Sequence, residues 1–160
     1  MLSKIEEMNY KINFNEPIPQ LIDRLKQEHD NFEVSFKNIE KSINENEIGN
    51  AIETINDLSE SIIRHAVEEE ARIMRVIMQK SKEESTDSIK IMQEHNWGID
   101  FLKHNLQNIE NEVHQQQLQP DQEQQQEIKR QLKEFIAKLQ NHFFEEEQIV
   151  FPLALKSDSR

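Results

Sequence analysis

Six histidines stand in a chain of 160 residues that has a single Trp and a single Tyr, and four of them occupy positions where a helix would place Leu or Ile. His29 lies between Leu25 and Phe32, His65 follows Ile62, His95 lies between Met92 and Ile99, and His142 follows Leu139. Each sits on the apolar stripe of a different helical segment. Two segments add a carboxylate four residues on, Glu69 after His65 and Glu146 after His142. Residues i and i+4 share a helix face, so each Glu points where its His points. A buried carboxylate without a counter-charge costs several kcal/mol. No Lys or Arg occupies the stripe near this level, which leaves a metal ion or a pair of them as the simplest neutraliser. Four imidazoles and two carboxylates suit two borderline cations, each taking two His nitrogens and sharing the Glu carboxylates as bridges. Such a set leaves coordination positions open, where oxygen, nitric oxide, peroxide or solvent could bind.

The neighbouring residues read more simply. His104 lies nine residues after His95, about 180° around the helix, and reads as surface, as does His114. Of the runs Glu68-Glu69-Glu70 and Glu145-Glu146-Glu147, the four Glu other than Glu69 and Glu146 read as solvated faces. Phe32, Phe36, Met92 and Phe135 read as core, and Trp97 as a helix contact or surface patch.

Four elements must hold these residues. The first follows Pro17-Ile18-Pro19 and carries Ile22, Leu25, His29, Phe32, Phe36, Ile39 and Ile43. The second carries Ile48, Ile52, Ile55, Leu58, Ile62, His65, Glu69, Ile73 and Val76. Thr86 or Asp87 is the expected cap of the third, which carries Met92, His95, Ile99, Leu102, Leu106, Ile109 and Val113. The fourth begins at Asp121, with Gln124 in capping-box position, and carries Ile128, Leu132, Phe135, Leu139, His142, Glu146, Ile149 and Leu153 before Pro152 kinks or ends it. Short connections favour antiparallel neighbours, so the expected fold is an all-α, up-down-up-down antiparallel four-helix bundle with a di-metal site in its core. Residues 1–16 read as an N-terminal arm, 17–156 as the bundle and 157–160 as a C-terminal tail.

Run lengths to the shared turns put His29 level with His65, and His95 level with His142. Between the second and third helices the runs differ, so the loop must absorb the difference or the second helix must overshoot. There is also an internal echo. Gln27-Glu28-His29 returns as Gln93-Glu94-His95, and His65 with its Glu run returns as His142 with its own, as expected of two helix pairs about a pseudo-twofold axis.

Composition narrows the class. Two Gly and four Pro in 160 residues are too few for a turn-rich all-β fold. A formal net charge of −12 argues against binding a phosphate backbone, so no nucleic-acid partner is expected. The absence of Cys excludes disulfides, thiolate catalysis and Cys-type zinc sites. No apolar run approaches the roughly 20 residues of a membrane span, and no membrane partner is expected. A cytoplasmic protein is the expectation.

The order His, His-x-x-x-Glu, His, His-x-x-x-Glu, one element per helix, resembles the hemerythrin-like, or HHE, cation-binding domain over about residues 21–155. Glu28-His29, Glu94-His95 and the run from His142 through Glu146 to Phe151-Pro152 support the resemblance. It implies two iron ions in a non-haem, carboxylate-bridged di-iron centre, with manganese or zinc less favoured. By position the ligands would be His29, His65, His95 and His142, with Glu69 and Glu146 bridging. Oxygen-carrying hemerythrins add a second His four residues after the helix-three His, where this chain has Ile99. They bridge with an Asp five residues after the helix-four His, where this chain has Glu147. The pattern is therefore closer to hemerythrin-like proteins tied to oxygen or iron sensing, nitric oxide and oxidative stress. The expected function is binding or sensing of oxygen, nitric oxide or iron and redox state. The alternative is a di-iron enzyme, an oxidase, peroxidase or nitric oxide-consuming protein, using the same residues.

Overall fold

Pro19 stands in the first turn of a helix, where a residue without an N–H is tolerated. In the computed structural model, which describes residues 10–159, the first long helix starts there, α1 being Ile18–Asn44. Asn46, at φ 62°, then takes the left-handed conformation that Asn adopts more readily than most residues, and the chain reverses into the next helix at Ile48. Three further helices follow: α2 (48–80), α3 (86–118) and α4 (122–158). Each neighbour in the ring α1-α2-α3-α4 packs on the next and α4 packs back on α1, which is the up-down-up-down four-helix bundle. The described residues contain no helix long and apolar enough to cross a membrane.

Two apolar clusters fill the interior, one on each side of the histidine level. The larger runs from Phe32, Phe36 and Ile39 across to Leu106, Leu132 and Phe135. The smaller joins Leu21, Ile22 and Leu25 of α1 to Ile73 and Ile77 of α2, Ile91 and Met92 of α3, and Val150, Phe151 and Ala154 of α4. Burying a side chain of this size is worth about 1.5–3 kcal/mol, so both ends hold the polar layer between them.

Second-helix overshoot resolves the unequal run lengths. The last segment of α2, Arg75–Lys80, passes the start of α3 and packs on the last segment of α4, Phe151–Asp158, with Ser81 Oγ and Ser157 Oγ 2.6 Å apart. Residues 157 and 158, expected in a tail, thus form the last turn of α4, and Ser157 is buried. Of the N-terminal arm, residues 1–9 lie outside the described residues. Tyr10 and Ile12 pack on the larger cluster, and Arg72 donates to the carbonyls of Asn13, at 2.6 Å, and Glu16.

Three helices are interrupted by a single wide π-turn: Glu69–Met74 in α2, Phe101–Asn105 in α3 and Glu146–Val150 in α4. These turns correct the expected stripe. A π-turn inserts one residue and rotates everything after it. In α4 the buried positions after Glu146 are Val150, Phe151, Ala154 and Ser157, while Ile149 is 40% exposed and Leu153 only half-buried. In α2 the buried residue is Ile77 where Val76 was expected. The same turn explains why Pro152 neither ends the helix nor breaks it. In an unbroken α-helix its ring would meet the carbonyl of Gln148, and the wider turn just before it removes that clash.

Capping differs in detail at two starts. Ser85, not Thr86 or Asp87, is the cap position of α3, and its hydroxyl donates to the Lys82 carbonyl at 2.7 Å. Asp121 does cap α4, accepting from the N–H groups of Glu123 at 3.0 Å and Gln124 at 3.4 Å. The return half of the box comes from Gln116, whose side-chain oxygen accepts the Asp121 N–H at 2.8 Å. Asp121→Ala should destabilise the protein by about 1 kcal/mol. Chemical unfolding monitored by circular dichroism checks this, and an unchanged midpoint would show that the cap is dispensable.

Candidate metal centre

All six predicted residues come together between the two apolar clusters. Glu69 and Glu146 are 0% exposed, and the four imidazoles are buried around them. His29 Nε2 lies 3.0 Å from His65 Nε2 and 3.1 Å from a Glu146 oxygen. His65 Nε2 is 3.1 Å from Glu69, His95 Nε2 is 3.3 Å from Glu69 and 3.6 Å from Glu146, and His142 Nε2 is 3.4 Å from Glu146. Two overlapping sets of donors result. His29, His65, Glu69 and Glu146 form one, and His95, His142, Glu69 and Glu146 the other, with the donor atoms of each set within 4.8 Å of one another. The two carboxylates belong to both.

The donor chemistry fits a cation in each set. Both oxygens of Glu69, one of Glu146, Nε2 of His95 and both ring nitrogens of His142 are buried without a hydrogen-bond partner. Ion-pair contacts of Glu69 and Glu146 among the described residues run only to imidazoles. Orphaned lone pairs and unbalanced negative charge are what a bound cation removes. A profile of the family described as Hemerythrin HHE cation binding domain matches residues 20–154. The chain belongs to that family. Searches of curated proteins and of solved structures returned no match.

The hemerythrin-type core carries a second ring of carboxylates. Glu147 of α4 lies 2.9 Å from His29 Nδ1, Glu28 of α1 lies 2.7 Å from His65 Nδ1, and Glu70 of α2 lies 3.4 Å from His95 Nδ1. Glu94 of α3 lies 3.7 Å from His142 Nδ1. Each helix thus supplies the carboxylate behind the next helix's imidazole, and the order repeats after half a circuit as the echo requires. A carboxylate behind the distal nitrogen fixes the tautomer and leaves Nε2 free to face the centre. This overturns the expectation that the flanking Glu are solvated. Glu70 and Glu147 face imidazoles, and Glu68 is buried against Arg24, whose guanidinium also meets Glu16 at 2.8 Å and Glu28 at 2.9 Å. Glu145 alone of the four turns outward, to Asn141 at 2.6 Å. Spacing on one helix could not reveal this ring, because each Glu serves a His on another helix.

Proton affinities follow from the same contacts. Burial opposes charge on His65, but Glu69 and Glu28 outweigh it and push its pKa up to about 9. His95 is raised in the same way against burial, by Glu69 and Glu70. Burial dominates at His29 and His142 and lowers both. Although burial opposes ionisation of Glu69, His65 and His95 hold its carboxyl far below the usual range.

Residues outside the donor sets shape access. A cavity of about 530 Å³ enters between α3 and α4 and reaches His95, His142 and Glu69. Trp97, 37% exposed, stands at its rim with Lys138 Nζ 4.1 Å over its ring. Its ring also lies 5.9 Å from Phe135 of α4, so it is a helix contact and a surface residue at once. Ile99, in place of a fifth imidazole, lines the same cavity. His104 and His114 are exposed and remote, His104 lying 3.8 Å from Asp100.

The pKa directions fix how metal-free protein responds to pH. Raised groups stabilise the fold below their unfolded value of 6.5, and that contribution is lost as pH climbs through about 9 at His65. Lowered groups act oppositely, so His29 and His142 cost stability as pH falls below 6.5. Chelator-treated protein should therefore melt at lower temperature at pH 9 than at pH 6.5. Bound cation, which needs neutral imidazoles, should abolish that alkaline loss. Melting scans across this range decide it, and a chelator-treated protein that gains stability from pH 6.5 to 9 contradicts the assignment.

Proposed function

We propose that this protein binds two iron ions, one in each donor set, with Glu69 and Glu146 bridging, and that it serves to bind or sense oxygen, nitric oxide or the iron and redox state of the cell. The observation that carries the reading is the sharing of both fully buried carboxylates by two four-donor sets. Iron is favoured over manganese or zinc by a mixed imidazole and carboxylate ligand set together with the family; affinity order alone does not select it. Iron held in this way supplies open coordination positions and reversible one-electron chemistry to a small ligand.

The chain's own residues set the terms of that chemistry. His29, His65, His95 and His142 present Nε2 to the centre; Glu147, Glu28 and Glu70 hold the protons on the opposite nitrogens of the first three, and Glu94 stands 3.7 Å from that of His142. Phe143, stacked 4.2 Å from His29, and Phe151, stacked 5.7 Å from it, exclude water from that side. A fixed donor set kept dry on the His29 side favours reversible binding, since solvent is kept from that face of the centre. A cytoplasmic setting, where iron and a redox signal are both available, suits this reading.

Iron-loaded protein should contain two equivalents per chain and show an absorption spectrum that changes on exposure to oxygen or nitric oxide and returns when the gas is removed. Glu146→Ala, which removes a donor from both sets, should lose both equivalents, and His65→Ala at most one. Iron content by elemental analysis with parallel spectra tests this. Wild-type protein that holds no iron would sink the reading, and turnover of peroxide or nitric oxide over many equivalents would make the centre an enzyme's.

A further inference from the structure

The internal echo pairs residues around one half of the centre with residues around the other, and two of its mismatches change the space beside the rings. Three residues after His29 stands Phe32, but three after His95 stands Gly98. One residue after His142 stands Phe143, but one after His65 stands Ala66. Both bulky members close over the His29–His65 half. Phe143 lies 4.2 Å from His29 and 5.5 Å from His65, and Phe32 lies 5.6 Å from His65. Both small members border the His95–His142 half, and the space they leave is the cavity of about 530 Å³, with His65 and Phe143 as part of its inner wall.

Gly98 is not there for the backbone. Its φ is not positive, and an added Cβ would meet only Leu139 Cδ2, at an ordinary 3.7 Å. A glycine inside a helix is unfavourable relative to alanine, so the open space is what this residue contributes.

The polar atoms divide the same way. Nδ1 of His29 and of His65 each has a carboxylate partner and their Nε2 atoms lie in contact, whereas Nε2 of His95 and both nitrogens of His142 have no hydrogen-bond partner. The carboxylates behind the first pair stand at 2.9 and 2.7 Å, and Arg24 clamps Glu28. Those behind the second pair stand at 3.4 and 3.7 Å, and the position matching Arg24 is the exposed Lys90.

Resting on the two-cation reading above, we infer that exogenous ligands enter at the His95–His142 position, and that its cavity takes a neutral, mostly apolar organic molecule bearing one metal-binding donor atom. The volume falls in the range of about 300–1,000 Å³ typical of sites for organic ligands, where a diatomic molecule would leave most of the space empty. Charge at the rim selects against anions. Lys138 is engaged by Glu134 at 3.3 Å and by the Trp97 face, and Glu94 stands beside them.

Protein loaded with Co(II), whose visible absorption reports ligand exchange, tests this with imidazole and 4-phenylimidazole as probes. The phenyl group should find the apolar cavity and tighten binding by about tenfold or more. Gly98→Phe, which supplies the side chain that Phe32 supplies on the other half, should erase that advantage at unchanged cobalt stoichiometry, while Gly98→Ala keeps it. Ala66→Leu serves the same purpose if Gly98→Phe does not fold. Equal affinities for the two probes in wild-type protein, or an advantage that survives the filled variants, would overturn the inference while leaving the two-cation reading intact. Failure to retain cobalt or iron at all would remove that reading, and this one with it.

Discussion

Two carboxylates with no solvent exposure, aimed at each other from diagonal helices, are the constraint around which this bundle is organised. Glu69 and Glu146 lie where a four-helix core would otherwise be driest, and like charges at such a place repel strongly. Apolar packing cannot offset that, since the two hydrophobic clusters lie above and below the polar layer. What does offset it within the chain is imidazole, and the positions of all four rings follow from that demand. His65 and His95 are raised in proton affinity by Glu69, so a positively charged core partly balances the negative one when no metal is bound. A cation in the donor sets would do the same without requiring protonated rings, and its loading would then be coupled to stability.

The ring of outer carboxylates extends this logic. Each imidazole that turns Nε2 inward must do something with its other nitrogen, and in a buried layer water is not available to satisfy it. A Glu from the adjacent helix answers the need at three of the four rings within hydrogen-bond reach, and Glu94 stands somewhat farther off. Glu28, Glu94 and Glu147 reach towards the surface and pass negative charge from the buried centre to solvent, whereas Glu70 stays buried. At one side the ring is tied off by Arg24, which joins Glu16, Glu28 and Glu68 and so connects the segment before α1 to the layer.

The inner set was legible in the sequence because it obeys a periodicity: a His on each apolar stripe and a Glu one turn further on share a face. The helix count and the up-down-up-down order followed from the same periodicity and from short connections. The outer set was not legible, because Glu28, Glu70, Glu94 and Glu147 sit next to a core residue in sequence and act on a different helix. A single-helix projection turns them about 100° away from the core, which reads as solvent. The π-turns were hidden for a related reason. Ile149 and Leu153 continue a regular stripe from Glu146, and only the packed structure shows that one extra residue has moved the buried face to Val150 and Ala154.

Departures from the echo then become more informative than the echo itself. Repetition of His and Glu across the two halves keeps the chemistry of the two donor sets alike, since Glu69 and Glu146 are common to both. Difference between the halves comes from residues outside the two sets, in charge at Arg24 against Lys90 and in shape at the apolar positions. Phe32 against Gly98 and Phe143 against Ala66 are such differences, and each removes several carbon atoms from the same side of the centre. One half is covered by aromatic rings, Phe143 stacked on His29 and Phe32 edge-on to His65, and the other borders a cavity whose apolar wall includes Ile62, Ala66, Gly98, Ile99 and Leu139. In a core whose two donor sets share both carboxylates, the absence of two side chains is enough to set a cavity against the His95–His142 half.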